Sequence, residues 1–181
     1  MVQMARVGPV LGGLLLLLTL LGAVGWSSAG VLEDIPAPPS ADRVVFADEP
    51  LPEHRLTGLI TVEATVRWDR EDVWVAIADE AEVERCANEP VSSFFQRCVS
   101  TDLNAVAMGE AGTGDEGLTW VVRPGVHYAG YGTIEAPQDL TMAIEWEVHA
   151  RLNGAATAML LLISVGLIAV GVLERYHSTS S

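Results

Sequence analysis

TMAIEWEVHARL, residues 141–152, and AATAMLLLISVGLIAVGVL, residues 155–173, are separated only by Asn153-Gly154, and the change of period between them decides the fold. In the first stretch Met142, Ile144, Trp146, Val148, Ala150 and Leu152 fall on one face. Thr141, Ala143, Glu145, Glu147, His149 and Arg151 fall on the other. A period of two with one apolar face marks a half-buried strand. The second stretch holds 19 residues without a charge. At about 1.5 Å per residue it reaches roughly 28 Å, the thickness of a bilayer's hydrocarbon core. Glu174-Arg175-Tyr176-His177 follow as an interfacial collar. The pattern predicts a transmembrane helix over 155–173, a short cytoplasmic tail over 174–181, and a β-strand feeding directly into the membrane.

Upstream, strand periodicity recurs. Ile60, Val62, Ala64, Val66 and Trp68 alternate with Thr61, Glu63, Thr65 and Arg67. Asp69-Arg70-Glu71-Asp72 makes a polar turn, and residues 73–78 (VWVAIA) return as a second strand, which suggests a hairpin. Residues 118–122 and 126–131 flank Arg123-Pro124-Gly125, and Pro-Gly at the centre of a turn suggests another. Residues 79–87 read as a short helix or ordered loop and 99–108 as a further strand. Phe94-Phe95 are expected to pack over the core edge, and residues 109–117 (GEAGTGDEG) to form a Gly-rich loop. The fold class expected over 56–152 is mainly β: an antiparallel β-sandwich of six or seven short strands, anchored by Trp68, Trp74, Trp120 and Trp146. Residues 30–55 carry Pro36, Pro38, Pro39, Pro50 and Pro52 and read as an acidic extended stalk, with a short edge strand near 43–48.

The N-terminal hydrophobic segment, residues 1–29, has two readings. Its leucine block over 14–21 has the length of a signal-peptide core, and Ser27-Ser28-Ala29 supplies small residues for cleavage after Ala29. Uncleaved, residues 7–26 would be a second transmembrane helix. In either case Arg6 and the terminal amine hold the N-terminus inside, so the β-domain is extracytoplasmic, at the cell membrane. On the C-terminal helix, Gly166 and Gly171, with Ala155, Ala156 and Ala158 near its start, permit close approach of another helix.

Charge is concentrated between the apolar ends. Residues 31–151 contain 23 Asp and Glu against 8 Arg, and the chain has no Lys. Such an acidic domain repels polyanions, which argues against nucleic acid as a partner. Cys86 and Cys98, with eleven residues between them in the exported region, read as one disulfide. Closing such a loop is worth about 3 kcal/mol in the chain-entropy model.

No nucleophile elbow, HExxH zinc motif or phosphate-binding loop occurs. Two weaker candidates for a divalent metal are present. Glu110, Asp115 and Glu116 lie among the glycines of 109–117 and offer oxygen ligands on a loop. Glu145, Glu147 and His149 project from one strand face about 7 Å apart, a row that binds a divalent metal if a neighbouring strand adds His127 or Asp139. The ordinary reading of both is solvated polar surface. The expectation is a non-enzymatic protein without cofactor, in contact with the lipid bilayer and serving as a protein-interaction or accessory subunit of a membrane complex. A metal- or solute-binding domain is the alternative.

Overall fold

The computed structural model describes residues 4–36, 43–54, 56, 58–88, 98–135 and 141–179. In chain order these form helix α1 (Met4–Val24) and strands β1 (Trp26–Pro36), β2 (Val45–Phe46), β3 (Ile60–Trp68) and β4 (Val73–Asp79). Helix α2 (Glu80–Ala87), strands β5 (Ala107–Gly109), β6 (Leu118–Val121), β7 (His127–Thr133) and β8 (Thr141–Leu152), and helix α3 (Gly154–Thr179) follow. The strands make two sheets of four, ordered β1-β8-β3-β6 and β2-β7-β4-β5. The pairings β2–β7, β3–β6, β4–β5 and β4–β7 are antiparallel. The protein is thus mainly antiparallel β with a long apolar helix at each end.

Among the described residues six strands, β3 to β8, fall within 56–152, where six or seven were expected, and two more, β1 and β2, lie upstream. The first half of β1, Trp26-Ser27-Ser28-Ala29-Gly30, has no apolar alternation to announce it. Pro36 closes this edge strand, where a missing amide donor breaks no ladder. The stretch read as a stalk therefore contributes strands to both sheets, β1 and the short β2 at their edges.

The two expected hairpins are also corrected. β3 and β6 belong to one sheet, β4 and β7 to the other, so each turn carries the chain between sheets. At the first turn the buried Trp68 Nε1 donates to Val73 O at 2.9 Å, which fixes the exit from β3. Arg70 forks onto Asp72 through Nε (2.9 Å) and Nη2 (2.7 Å). These hydrogen bonds hold the Asp72 carboxyl below its usual range. Local bonding of this kind satisfies a turn without a hairpin ladder.

The chain divides into two compact units. The larger, residues 28–55 and 63–148, has an apolar cluster of Trp68, Val73, Val75, Ile77, Leu118, Trp120 and Met142, drawn from both sheets. A second cluster, Val44, Trp74, Ala76, Cys86 and Cys98, takes the alternate residues of β4. β4 is therefore buried on both faces, which explains why VWVAIA is a continuous apolar run. Glycine is required at Gly132, where an added Cβ would lie 2.4 Å from the Trp74 ring. Of the four tryptophans expected as anchors, Trp68, Trp74 and Trp120 are buried and Trp146 is half-buried.

The smaller unit holds α1, residues 56–62 and the chain from His149 onward. Its two helices are long and apolar enough to cross a membrane, over Val7–Val24 and Gly154–His177. They pack antiparallel through small residues: a Cβ on Gly8 would meet Leu167 O at 3.3 Å, and one on Gly171 would meet Pro9 Cδ at 2.3 Å. Thr19 and Ser164 are buried and return their hydroxyls to Leu15 O and Leu160 O, both at 2.7 Å. Gly166, the other glycine expected in a helix contact, meets nothing within 4 Å.

Candidate functional site

Two of the six carboxylate and histidine candidates come together. Asp115, from the Gly-rich loop, and Glu145, from β8, line one cavity of about 170 Å³ with Arg67, Trp68, Asp69, Gly114 and Ala143. Close approach of loop and strand makes the cavity: a Cβ on Gly114 would lie 2.3 Å from Trp68 O, so only glycine lets the loop dock there. Asp69 is committed to the wall, accepting from Ala143 N at 3.0 Å and donating its own amide to Ala143 O at 3.4 Å. Three carboxylates beside one guanidinium make a negative depression suited to diffuse attraction of cations.

The other candidates lie elsewhere. Glu110 serves its loop through its backbone oxygen, which accepts from Thr113 N (3.2 Å) and Thr113 Oγ1 (2.7 Å). Glu116 is exposed in the following turn, and Glu147 is exposed two residues beyond Glu145. His149 belongs to the smaller unit, where its ring lies against Gly25. His127 does not join the row. It is buried on β7, its ring 5.1 Å from that of Trp120 and its Nδ1 3.0 Å from Gly125 O. Phe94, Phe95 and Asp139 lie outside the described residues. Among the described residues no group of three or more His, Cys, Asp or Glu is gathered to hold a metal ion.

A densely bonded polar cluster surrounds the disulfide. Cys86 and Cys98 are joined, both buried, with Cα atoms 5.8 Å apart. α2 begins at Asp79, whose side chain caps Glu82 N at 2.9 Å. This places Glu82 and Arg85 one turn apart. Glu82 is buried and accepts from Asn104 N (2.8 Å), Arg85 Nη2 (2.6 Å) and Arg85 Nε (2.8 Å). Arg85 also donates to Asp102 O at 3.1 Å, and Asp102 Oδ2 accepts from Cys98 N at 3.3 Å. The Arg85 hydrogen bonds hold the Glu82 carboxyl below its ordinary range against the opposing effect of burial, and Glu82 pushes the Arg85 pKa up. Cys98 has φ of +61°, a left-handed conformation costly for a side chain other than glycine, which the disulfide and the Asp102 contact hold. The chemistry is structural: it ties α2 to residues 98–104.

Sequence reading missed this Glu82–Arg85–Asp102 cluster, whose members look like ordinary charged helix and loop residues. It also missed Gly8 and Gly12, although Gly8-Pro9-Val10-Leu11-Gly12 is a G-x-x-x-G spacing within an apolar segment.

No protein-family model matches the chain. No curated protein matches it in sequence. Among solved structures, a chain from the X-ray structure of tomato aspermy virus is similar at 14% identity over 72% of this chain and 80% of that one. Its TM-score is 0.31, a likeness too slight to bear on fold or function.

Proposed function

We propose that the protein is anchored in a membrane by a hairpin of α1 and α3. It presents an acidic β-sandwich on the extracytoplasmic side and serves there, without catalysis, as a protein-interaction or accessory subunit of a membrane complex. The observation that carries the reading is the apolar surface of the helices. Leu17, Leu21, Leu162 and Leu173 are 54%, 60%, 75% and 58% exposed, although both helices already pack on each other through small residues. Leucine faces left open on a packed helix pair are satisfied by lipid.

Retention of α1 as a membrane helix is favoured over cleavage. A cut after Ala29 falls inside β1, and it discards the Gly8 and Gly12 contacts with α3. The buried disulfide suits an oxidising compartment. A core drawing on both sheets suits a sandwich. The excess of 23 carboxylates over 8 arginines between residues 31 and 151 favours a partner with a cationic face. Alkaline carbonate extraction tests the anchor, since release of the chain into the soluble fraction would refute it. Amine- and carboxyl-directed crosslinking in native membranes tests the partner. A discrete protein adduct is expected, and its absence would refute an accessory role.

One observation favours the second reading, a metal- or solute-binding domain: the shared cavity of Asp69, Asp115 and Glu145. Stoichiometric divalent metal in the purified protein would select it.

A further inference from the structure

One long strand edge of the β-domain is open. β1 stands at the end of the sheet β1-β8-β3-β6, so among the described residues it pairs on one side only, with β8. On its other side the backbone N–H and C=O groups of alternate residues face outward without a ladder, a template for a further strand. The remaining edge strands are short. β2, β5 and β6 have two, three and four residues, against eleven in β1.

Sheet edges are commonly guarded by charge, proline or an irregular backbone. The last part of β1 has all three: Glu33 and Asp34 are exposed, Asp34 has φ of +59°, and Pro36 ends the strand. Tyr131 Oη donates to Pro36 O at 2.8 Å and ties this end to β7. Ser28-Ala29-Gly30-Val31-Leu32 has none of these guards. Val31 and Leu32 are each 54% exposed, and as neighbours on a strand they point to opposite faces. Gly30 seats this stretch on its own sheet, since a Cβ there would lie 2.7 Å from the Trp146 ring. The unguarded stretch is therefore a fixed edge with an apolar residue on each face and two carboxylates at one end.

That pattern selects its occupant. A second copy of the chain would bring another net charge of −14 to this one, and the two would repel. A strand from a different protein, with apolar residues over Val31 and Leu32 and cations against Glu33 and Asp34, completes both the ladder and the charge. We infer that residues 28–34 receive an extended, basic-ended segment of a partner protein as an added strand beside β1. The inference rests on the accessory-subunit reading above and names the surface that reading would use.

The test uses the full-length chain in phosphatidylcholine nanodiscs, with empty nanodiscs as the blank, and a fluorescent peptide of sequence Arg-Arg-Val-Thr-Val-Thr-Val read by anisotropy. Laid antiparallel to β1, this peptide sets its arginines against Glu33 and Asp34 and its valines along the unguarded stretch. One control peptide has two glutamates in place of the arginines. The other has proline in place of the central valine, which removes a ladder donor. The parent chain should bind the first peptide saturably and about tenfold more tightly than either control. Val31→Lys, which puts a guard on the edge, should weaken that binding about tenfold. Ile134→Lys, which adds the same charge at another exposed apolar position, should leave it unchanged. No saturable binding, equal binding of either control peptide, or equal effects of the two substitutions would overturn the inference. The peptide comparison is made on the parent chain and decides the matter should Val31→Lys fail to fold. In native membranes, absence of any crosslinked adduct sinks the accessory role itself, whereas an adduct formed as readily by Val31→Lys as by the parent sinks only this inference.

Discussion

Gly12→Ala should damage the helix pair, while Gly13→Ala, one residue along, should not. A Cβ on Gly12 would sit 2.7 Å from Ile168 Cγ1, 2.8 Å from Ser164 O and 3.1 Å from Ile168 N. The isoleucine branch can rotate away, but the carbonyl oxygen and amide nitrogen belong to α3 itself. Carbon–oxygen contacts settle near about 3.3 Å, so the helices must part by roughly half an ångström. A gap of about 0.5–1 Å forfeits a quarter to a half of each dispersion well along the contact. Overpacking of this kind costs about 1–3 kcal/mol. A Cβ on Gly13 meets nothing within 4 Å. Both substitutions gain the same helix propensity, so the difference between them isolates packing. For a chain of this length about 2 kcal/mol corresponds to roughly 4–8 °C. Thermal melts in detergent followed by circular dichroism at the helix band should separate the two variants by that amount. If they melt together, α1 does not pack on α3 through Gly12, and the hairpin on which the anchor depends loses its main support.

Mass spectrometry of mature protein should find residues preceding Gly30; recovery of Gly30 as the N-terminus would establish cleavage. Replacing Cys86 and Cys98 by Ser should cost about 2–4 kcal/mol, and the unreduced native protein should offer no thiol to an alkylating agent. Glu82→Gln removes the charged acceptor for Arg85 and should cost about 1.5–3 kcal/mol at neutral pH. Because the folded-state pKa of Glu82 lies below its ordinary value of 4.5, its contribution is whole above that value and is lost as pH falls through the depressed one. The variant's melting temperature should therefore converge on the parent's in that acid range, and a constant gap would refute the ion pair's role. Raising ionic strength from about 0.01 M to 1 M shortens the screening length from roughly 30 Å to 3 Å. With carboxylates outnumbering arginines 23 to 8 over residues 31–151, relief of repulsion should raise the melting temperature, and a flat or falling response would show that specific ion pairs dominate.

The elements were legible where a period was sustained. β8 and β3 alternate over 12 and 9 residues, and both strands lie where that alternation puts them. Helix formers over residues 79–87 suggested a short helix or ordered loop, and the structure has the helix α2, capped by Asp79. Pairing was not legible. Period two states which side chains share a face and says nothing about which strand lies alongside. A short polar turn such as residues 69–72 serves a hairpin or a crossing between sheets equally well. What separates them is the Trp68 Nε1–Val73 O bond and the shared core of Trp68 and Val73, both consequences of tertiary packing. β1 was hidden for the opposite reason: serine, alanine and glycine in its first half leave no pattern to find.

The same distinction explains the candidate sites. Glu145, Glu147 and His149 were grouped because a strand places alternate residues on one face, yet the structure pairs Glu145 with Asp115 and Asp69 across loop and sheet. The contacts that matter run sideways, and one-dimensional spacing carries no sideways information. The helices obey the same rule with a different outcome. On α3, Gly166 and Gly171 are equally small, but five residues turn a helix by about 500°, so the two face directions roughly 140° apart. Gly171 lies seven residues from the buried Ser164, about two turns away on the same stripe. Composition identified both glycines as permissive, and helical phase selects the one that packs. The phase of α1 was equally available, since Gly8 and Gly12 are four apart and Thr19 lies seven beyond Gly12. The sequence reading weighed the N-terminal segment as signal peptide or second transmembrane helix on its leucine block and cleavage residues, and left that stripe unread. Two apolar segments whose small-residue stripes are in phase can pack as a helix pair, and α1 and α3 meet along those stripes.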